Sequence, residues 1–91
     1  MVKKITNELY LRRLTLDEAL PMLEQYLNDA FMAGLSQVRI IHGKGTGIMR
    51  SAVQSRLSVH PLVNSYRSGL YGEGEQGVTL VELVPRYKDS H

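Results

Sequence analysis

The sequence contains no cysteine, which removes a disulfide framework and a thiolate metal site as ways of holding the chain together. Stability has to come from packing, and with 43% of its 91 residues hydrophobic the chain has enough apolar material for one small core. No apolar stretch approaches the roughly 18 to 20 residues a bilayer span requires. The start Met1-Val2-Lys3-Lys4 is not followed by an apolar signal region either. The chain therefore reads as a cytoplasmic protein with no membrane partner. Internal repeats, heptad runs and low-complexity blocks are missing, which excludes solenoids and coiled coils. Charge of one sign is also scarce: the net value is +2, so the overall field is a weak attraction for anionic partners and the placement of each cation matters more than the sum.

What is present reads as alternating strands and helices. Leu9 and Leu11, with Leu14, are separated by polar residues and predict a short strand with one buried face, leaving Tyr10 and Arg12 on the other. Thr15 and Glu18 have the T-x-x-E spacing of a capping box, so a helix starts there. Its apolar stripe is Leu16, Ala19, Leu20, Leu23, Leu27, Ala30 and Phe31, and Gly34 ends it. Pro21 inside that helix predicts a bend without a break. Gln37 to Ile41 is β-branched and predicts an interior strand. Ile48 to Val59 reads as a second helix, with Ile48, Met49, Ala52, Val53 and Leu57 inward and Arg50, Gln54 and Arg56 toward solvent.

Leu62 to Arg67 and Val78 to Val84 predict an antiparallel strand pair. The glycine-rich segment between them reads as a long, mobile hairpin connection too polar to pack. The order strand, helix, strand, helix, strand, strand predicts an α/β two-layer sandwich, βαβαββ, with both helices on one face of a four-stranded mixed sheet. Residues 1–8 read as a flexible basic lead, 9–84 as the domain and 85–91 as a disordered tail.

The chemistry concentrates in Val38 to Arg50. Glycines 43, 45 and 47 between a strand and a helix allow positive φ and close backbone approach, so amides from Gly43 through Gly47 can form an anion nest, with a phosphate as its natural guest. Arg39, Lys44 and Arg50 would supply charge around it, and His42 could hydrogen-bond a phosphate or exchange a proton near neutral pH. A plain strand-to-helix turn with a hydrogen-bonded histidine fits the same residues. The spacing G-x-G-x-G is neither a P-loop nor a dinucleotide fingerprint, which disfavours ATP and NAD. No His, Asp and Glu grouping has metal-ligand spacing, so no metal ligand is named.

At this point the residues resemble the small MutS-related, or Smr, domain over positions 9 to 84. Leu9-Tyr10-Leu11-Arg12 lies where that family has an L-D-x-R or L-D-x-H strand. Ile40-Ile41-His42-Gly43-Lys44-Gly45-Thr46-Gly47 matches its I-H-G-x-G-x-G signature, and His60-Pro61-Leu62-Val63 and Gly77-Val78-Thr79-Leu80-Val81-Glu82-Leu83 resemble its later landmarks. The long loop form looks most like the Smr domain at the carboxyl end of the second bacterial MutS paralogue, an ATPase tied to recombination and to ribosome rescue. The resemblance implies binding of DNA or RNA, nicking by some members, and a larger MutS-like parent with the ribosome among its partners. It also implies a site built from Arg12 and His42 as catalytic residues, with Gly43, Lys44, Gly45, Thr46, Gly47, Arg39, Arg50 and Tyr10 contacting nucleic acid.

Two residues depart from the family pattern. Tyr10 stands where aspartate is usual and Arg13 where glycine is common. Tyrosine supplies no carboxylate for a magnesium or manganese ion or for activating water, so two readings stand side by side: a sequence-nonspecific endonuclease domain, and a binding module without cleavage. Tyr10 could stack on a base from an open sheet face or pack on its own sheet.

Overall fold

The computed structural model describes residues 5–86. The elements are β1 (Glu8–Tyr10), α1 (Leu16–Met32), β2 (Gln37–Ile41), α2 (Ile48–Leu57), β3 (Val63–Ser68) and β4 (Val78–Leu83), with one 3₁₀ turn at Glu75–Gly77 ahead of β4. In the sheet order β1-β2-β4-β3, β1 is parallel to β2 and β4 is antiparallel to both its neighbours. β1, β2 and β3 thus run one way, with β4 inserted between β2 and β3 in the opposite sense. Each helix therefore bridges two parallel strands, the arrangement that requires a long crossover.

Alternation along the strands sorts the sheet into two faces. Val38 and Ile40 of β2 and Thr79, Val81 and Leu83 of β4 are buried beneath the helices. They meet Ala19, Leu23, Tyr26, Leu27 and Ala30 of α1 and Val53 and Leu57 of α2 in one core cluster. On the opposite face Glu8, Arg39, Leu80 and Arg67 stand in register as one row across all four strands. The expected two-layer sandwich with a mixed four-stranded sheet is the fold observed.

The helix boundaries follow from local chemistry. Thr15 caps α1 with the full capping box, its hydroxyl accepting from the Glu18 amide at 3.2 Å while the Glu18 carboxylate accepts from the Thr15 amide at 3.0 Å. At the other end the Gly34 amide bonds the Phe31 carbonyl and the Leu35 amide bonds the Ala30 carbonyl, a Schellman closure with Gly34 at φ +84°. α1 continues through Pro21 without a break.

Several expectations need correction. β1 is shorter than expected and ends at Tyr10, so Arg12 lies in the following turn and does not share a strand face with Tyr10. Residues 5–8 are not a loose lead: Ile5 packs against the core, and the Tyr26 hydroxyl donates to the Thr6 carbonyl at 2.7 Å. Tyr26 belongs to the buried face of α1, and burial, with the charge of Glu8 adding to it, pushes its pKa up to about 12. Ile48 is 63% exposed and not part of the inner side of α2.

Gln54 and Arg56 are engaged, not free. Gln54 donates to Ser68 and Thr79, and Arg56 donates to Glu24 at 2.9 Å, where His60 also donates at 2.9 Å, tying α2 to α1. Burial pushes the Glu24 carboxyl up, but the hydrogen bonds from Arg56 and His60 outweigh it and hold its pKa below the usual value. Beyond β4, the Val84 amide bonds the Leu62 carbonyl and the Arg86 guanidinium donates to the Met32 carbonyl at the end of α1. The expected lead and tail at 1–4 and 87–91 lie outside the described residues.

The β3–β4 connection is also more ordered than its composition suggests. Arg67 clamps Glu73 through two bonds at 2.8 and 3.3 Å, Glu73 in turn accepts the Leu70 amide at 2.8 Å, and Gly77 is buried. Gly74 lies so close over Val78 that a Cβ there would collide with it. The segment is tied back to the fold, though largely exposed, because its backbone donors find carboxylate and carbonyl partners that composition alone does not reveal.

Candidate nucleic-acid interface

The glycine loop leaves the carboxyl end of β2 and enters α2. His42 and Gly43 are fixed first: both amides donate to the Gly77 carbonyl, at 3.0 and 2.9 Å, so the β3–β4 connection holds the root of the loop. Beyond them the chain is open. Lys44, Gly45 and Thr46 are exposed, and their amides make no hydrogen bond to a described group. Gly45 sits at φ +34° and Gly47 at φ +89°, backbone that costs an L-residue about 1–2 kcal/mol. Gly47 then caps α2 through its backbone alone, with no side-chain cap. Free amides beside the positive end of a helix make this segment receptive to an anion.

His42 faces inward, 6% exposed. Its Nδ1 lies 3.1 Å from the Gly43 carbonyl, which can only accept, and so this nitrogen carries the proton. Its Nε2 then accepts from the Thr79 hydroxyl at 2.8 Å, and that oxygen accepts from Gln54 at 3.0 Å. Burial lowers the His42 pKa below the ordinary imidazole value; the Gly43 bond works against the shift and the nearby Arg50 charge adds to it. The ring is thus a neutral strut between β2, β4 and α2, with both nitrogens occupied. Sequence reasoning missed Thr79 and Gln54 as its partners. Strand parity carries the signal for Thr79, since it shares the inward face with Val81 and Leu83 yet bears a hydroxyl.

The cations divide cleanly. The Arg12 side chain lies along Gly43, where a Cβ would stand 3.5 Å from its Cγ. Arg50 reaches back to Gly47, where a Cβ would stand 3.3 Å from its guanidinium. Lys44 is exposed, with a 3.3 Å contact to Glu75. Arg13, which the sequence reading had left out of the site, lines the hollow on the helical side of the loop with Arg50. Arg12, Arg13 and Arg50 hold no carboxylate among the described residues, whereas Arg39, Arg56 and Arg67 each hold a glutamate.

Arg39 and Tyr10 are not brought to the loop. Arg39 stands on the open sheet face, bonded to Glu8 at 2.7 Å. Tyr10 is 59% exposed on that face and donates to the same Glu8 at 3.0 Å; this hydrogen bond and the carboxylate's charge raise its pKa. Among the described residues no group of three His, Asp or Glu side chains converges on a point. With both His42 nitrogens engaged, the donor set does not fit a magnesium or manganese ion held by protein groups.

Comparison with known proteins agrees with this fold. The Smr domain model matches residues 9–84. The chain is 53% identical over 81 residues to Endonuclease MutS2 of Caldicellulosiruptor saccharolyticus, covering 89% of this chain and 10% of that protein. It is 56% identical over 82 residues to Endonuclease MutS2 of Pelotomaculum thermopropionicum, covering 90% and 10%. The chain thus spans about a tenth of the length of these curated relatives. Among solved structures, the Smr domain of Thermus thermophilus MutS2 superposes with a TM-score of 0.85 at 44% identity, covering 88% of this chain and 100% of that one. YdaL, a stand-alone small MutS-related protein from Escherichia coli, gives 0.79 at 32% identity, covering 85% and 63%. With its family signature, its sheet order and its loop accounted for together, this chain belongs to the Smr domain family.

Proposed function

We propose that this domain grips the sugar-phosphate backbone of nucleic acid at the glycine loop, acting in the cytoplasm as the nucleic-acid contact of a larger MutS-like ATPase. The observation that carries the reading is the sorting of arginines: Arg12, Arg13 and Arg50 at the loop hold no carboxylate among the described residues, whereas Arg39, Arg56 and Arg67 are bonded to glutamates and Arg86 to the Met32 carbonyl. Unpaired guanidiniums beside unsatisfied amides bind phosphate oxygens and release counterions, whatever the base sequence. DNA, RNA and the RNA of a ribosome therefore all fit. Lys44, Gly45 and Thr46 supply amides, Arg12, Lys44 and Arg50 supply charge, and His42 holds the loop root in place. Titrating a labelled single-stranded oligonucleotide and a duplex into the protein across a salt series tests this. Binding whose affinity falls steeply with salt on unrelated sequences is the expected result, and salt-independent or absent binding refutes it.

Cleavage is the second reading, favoured by the endonuclease name of the relatives. In it Arg12 stabilises charge on the scissile phosphate, and His42 acts as a general acid or base only after releasing Thr79 or Gly43. General acid or base assistance is worth about 10² to 10⁴ in rate. Wild type, Tyr10→Asp and His42→Ala compared on supercoiled plasmid and structured RNA, with and without magnesium or manganese, decide between the readings. Wild-type nicking lost in His42→Ala establishes cleavage, and inactivity of all three with binding intact establishes the binding module.

A further inference from the structure

The glycine loop separates two hollows. One, of about 470 Å³, is lined by Arg12, Lys44 and the β3–β4 connection at Gly74 and Gly77. The other, of about 260 Å³, lies toward the helices and is lined by Arg13, Arg50 and the loop from His42 to Gly47. Both share Gly43, Lys44 and Gly45 as their common wall. Lys44 thus belongs to both hollows, with Arg12 in one and Arg13 and Arg50 in the other, and the loop backbone runs between them.

Arg13 is the unexpected member. It occupies φ +68°, the left-handed region in which side chains other than glycine, asparagine and aspartate are rare. Its backbone belongs to a turn closed by the Leu14 amide on the Leu11 carbonyl at 3.4 Å, but its side chain is exposed and makes no hydrogen bond or ion pair to a described group. Two arginines without a carboxylate among the described residues, one of them at a backbone position that favours glycine, line the same hollow and together suit an anion from outside the chain.

We propose that Arg13 and Arg50 form a second phosphate subsite, so that consecutive phosphates of one strand straddle the glycine loop, one against Arg12 and Lys44 and the next against Arg13 and Arg50. This rests on the reading of the loop as a backbone-binding surface and adds to it a residue and a direction. The strand crosses the loop from the β3–β4 connection toward the α1–α2 side. Arg13 is a binding residue peculiar to this geometry: a glycine in its place relieves the backbone and removes the contact, so affinity and stability move in opposite directions.

The test measures affinity for a labelled single-stranded 20-mer and the matching duplex, salt dependence and thermal unfolding for wild type, Arg13→Gly, Arg13→Lys and Lys44→Ala. Loss of one phosphate contact lowers the slope of log K against log salt by about 0.7 on single strands and 0.9 on duplex, which is roughly five- to eightfold in affinity at 0.1 M salt. Arg13→Gly should show that loss with Tm unchanged or raised, and Arg13→Lys should restore the slope at the wild-type Tm. Wild-type affinity and slope in Arg13→Gly, beside a clear loss in Lys44→Ala, overturn the second subsite while leaving the loop as the binding surface. Unchanged binding in both variants overturns the loop reading itself. A loss in Arg13→Lys equal to that in Arg13→Gly makes the position structural and also overturns the proposal.

Discussion

The glycine-loop end and the open sheet face are built from similar residues, yet they settle their charges differently. On the sheet, Arg39 answers Glu8 and Arg67 answers Glu73, while Ser65 donates to Glu82, leaving a polar surface whose formal charges nearly cancel. At the loop, Arg12, Arg13 and Arg50 are unanswered among the described residues, and Lys44 has one exposed carboxylate contact. A net charge of +2 thus understates the local field at one end and overstates it on the sheet. Counterion release scales with the phosphates actually neutralised and is indifferent to the sum over the chain, so binding should localise to the loop.

The sharpest way to break this contrast is a pair of double variants. Lys44→Ala with Arg50→Ala should weaken binding roughly 25- to 60-fold at 0.1 M salt and lower the salt slope by about 1.4 to 1.8, two contacts' worth. Arg39→Ala with Arg67→Ala should stay within about twofold. Equal losses, read by the same titration, would erase the distinction between the two regions.

Next in size is the buried support of the loop. Thr79→Val leaves His42 Nε2 and the Gln54 amide without their common partner in a fully buried position, a loss of about 1–3 kcal/mol in urea unfolding. Gly45→Val should cost about 1–2 kcal/mol from its φ alone, because a Cβ there meets open space. It should weaken binding while the fold survives, and immediate unfolding would show the loop to be chiefly a structural turn.

Acid titration separates the regions by pH window. His42 has a lowered pKa when folded, so the unfolded chain binds its proton more readily. Stability therefore falls as pH drops below about 6.5 toward the lowered folded value. Glu73 is held down to about 2, chiefly by its bond from Arg67 and then by the Leu70 amide, so its contribution is present above the usual carboxylate range and is lost only as pH falls toward 2. Tm measured from pH 7 to 5 should decline in wild type and decline less in His42→Gln. The smallest effect belongs to the open face: a double-mutant cycle on Glu8 and Arg39 should return about 0.2–1 kcal/mol, as exposed pairs do.

The sequence by itself determined the elements and the place of the loop. β2 at Gln37–Ile41 and the start of α1 at the Thr15 cap coincide with the expected bounds, because β-branched runs and capping boxes are local physics that neighbouring residues carry complete. The H-G-K-G-T-G segment was legible for the same reason, its positive-φ glycines being written in the sequence. What only the tertiary structure decided depends on residues distant in the chain. Thr79 and Gln54 turn His42 from an exposed acid or base into an inward strut. Glu8 takes Arg39 from the site to the sheet. Gly77 makes an apparently loose connection into the clamp on the loop's root. The turn after β1 brings Arg13 to the same hollow that Arg50 lines from α2. Pairing of charges and satisfaction of buried donors are three-dimensional matters: which glutamate answers which arginine is set by sheet register and helix packing, and no local spacing encodes it.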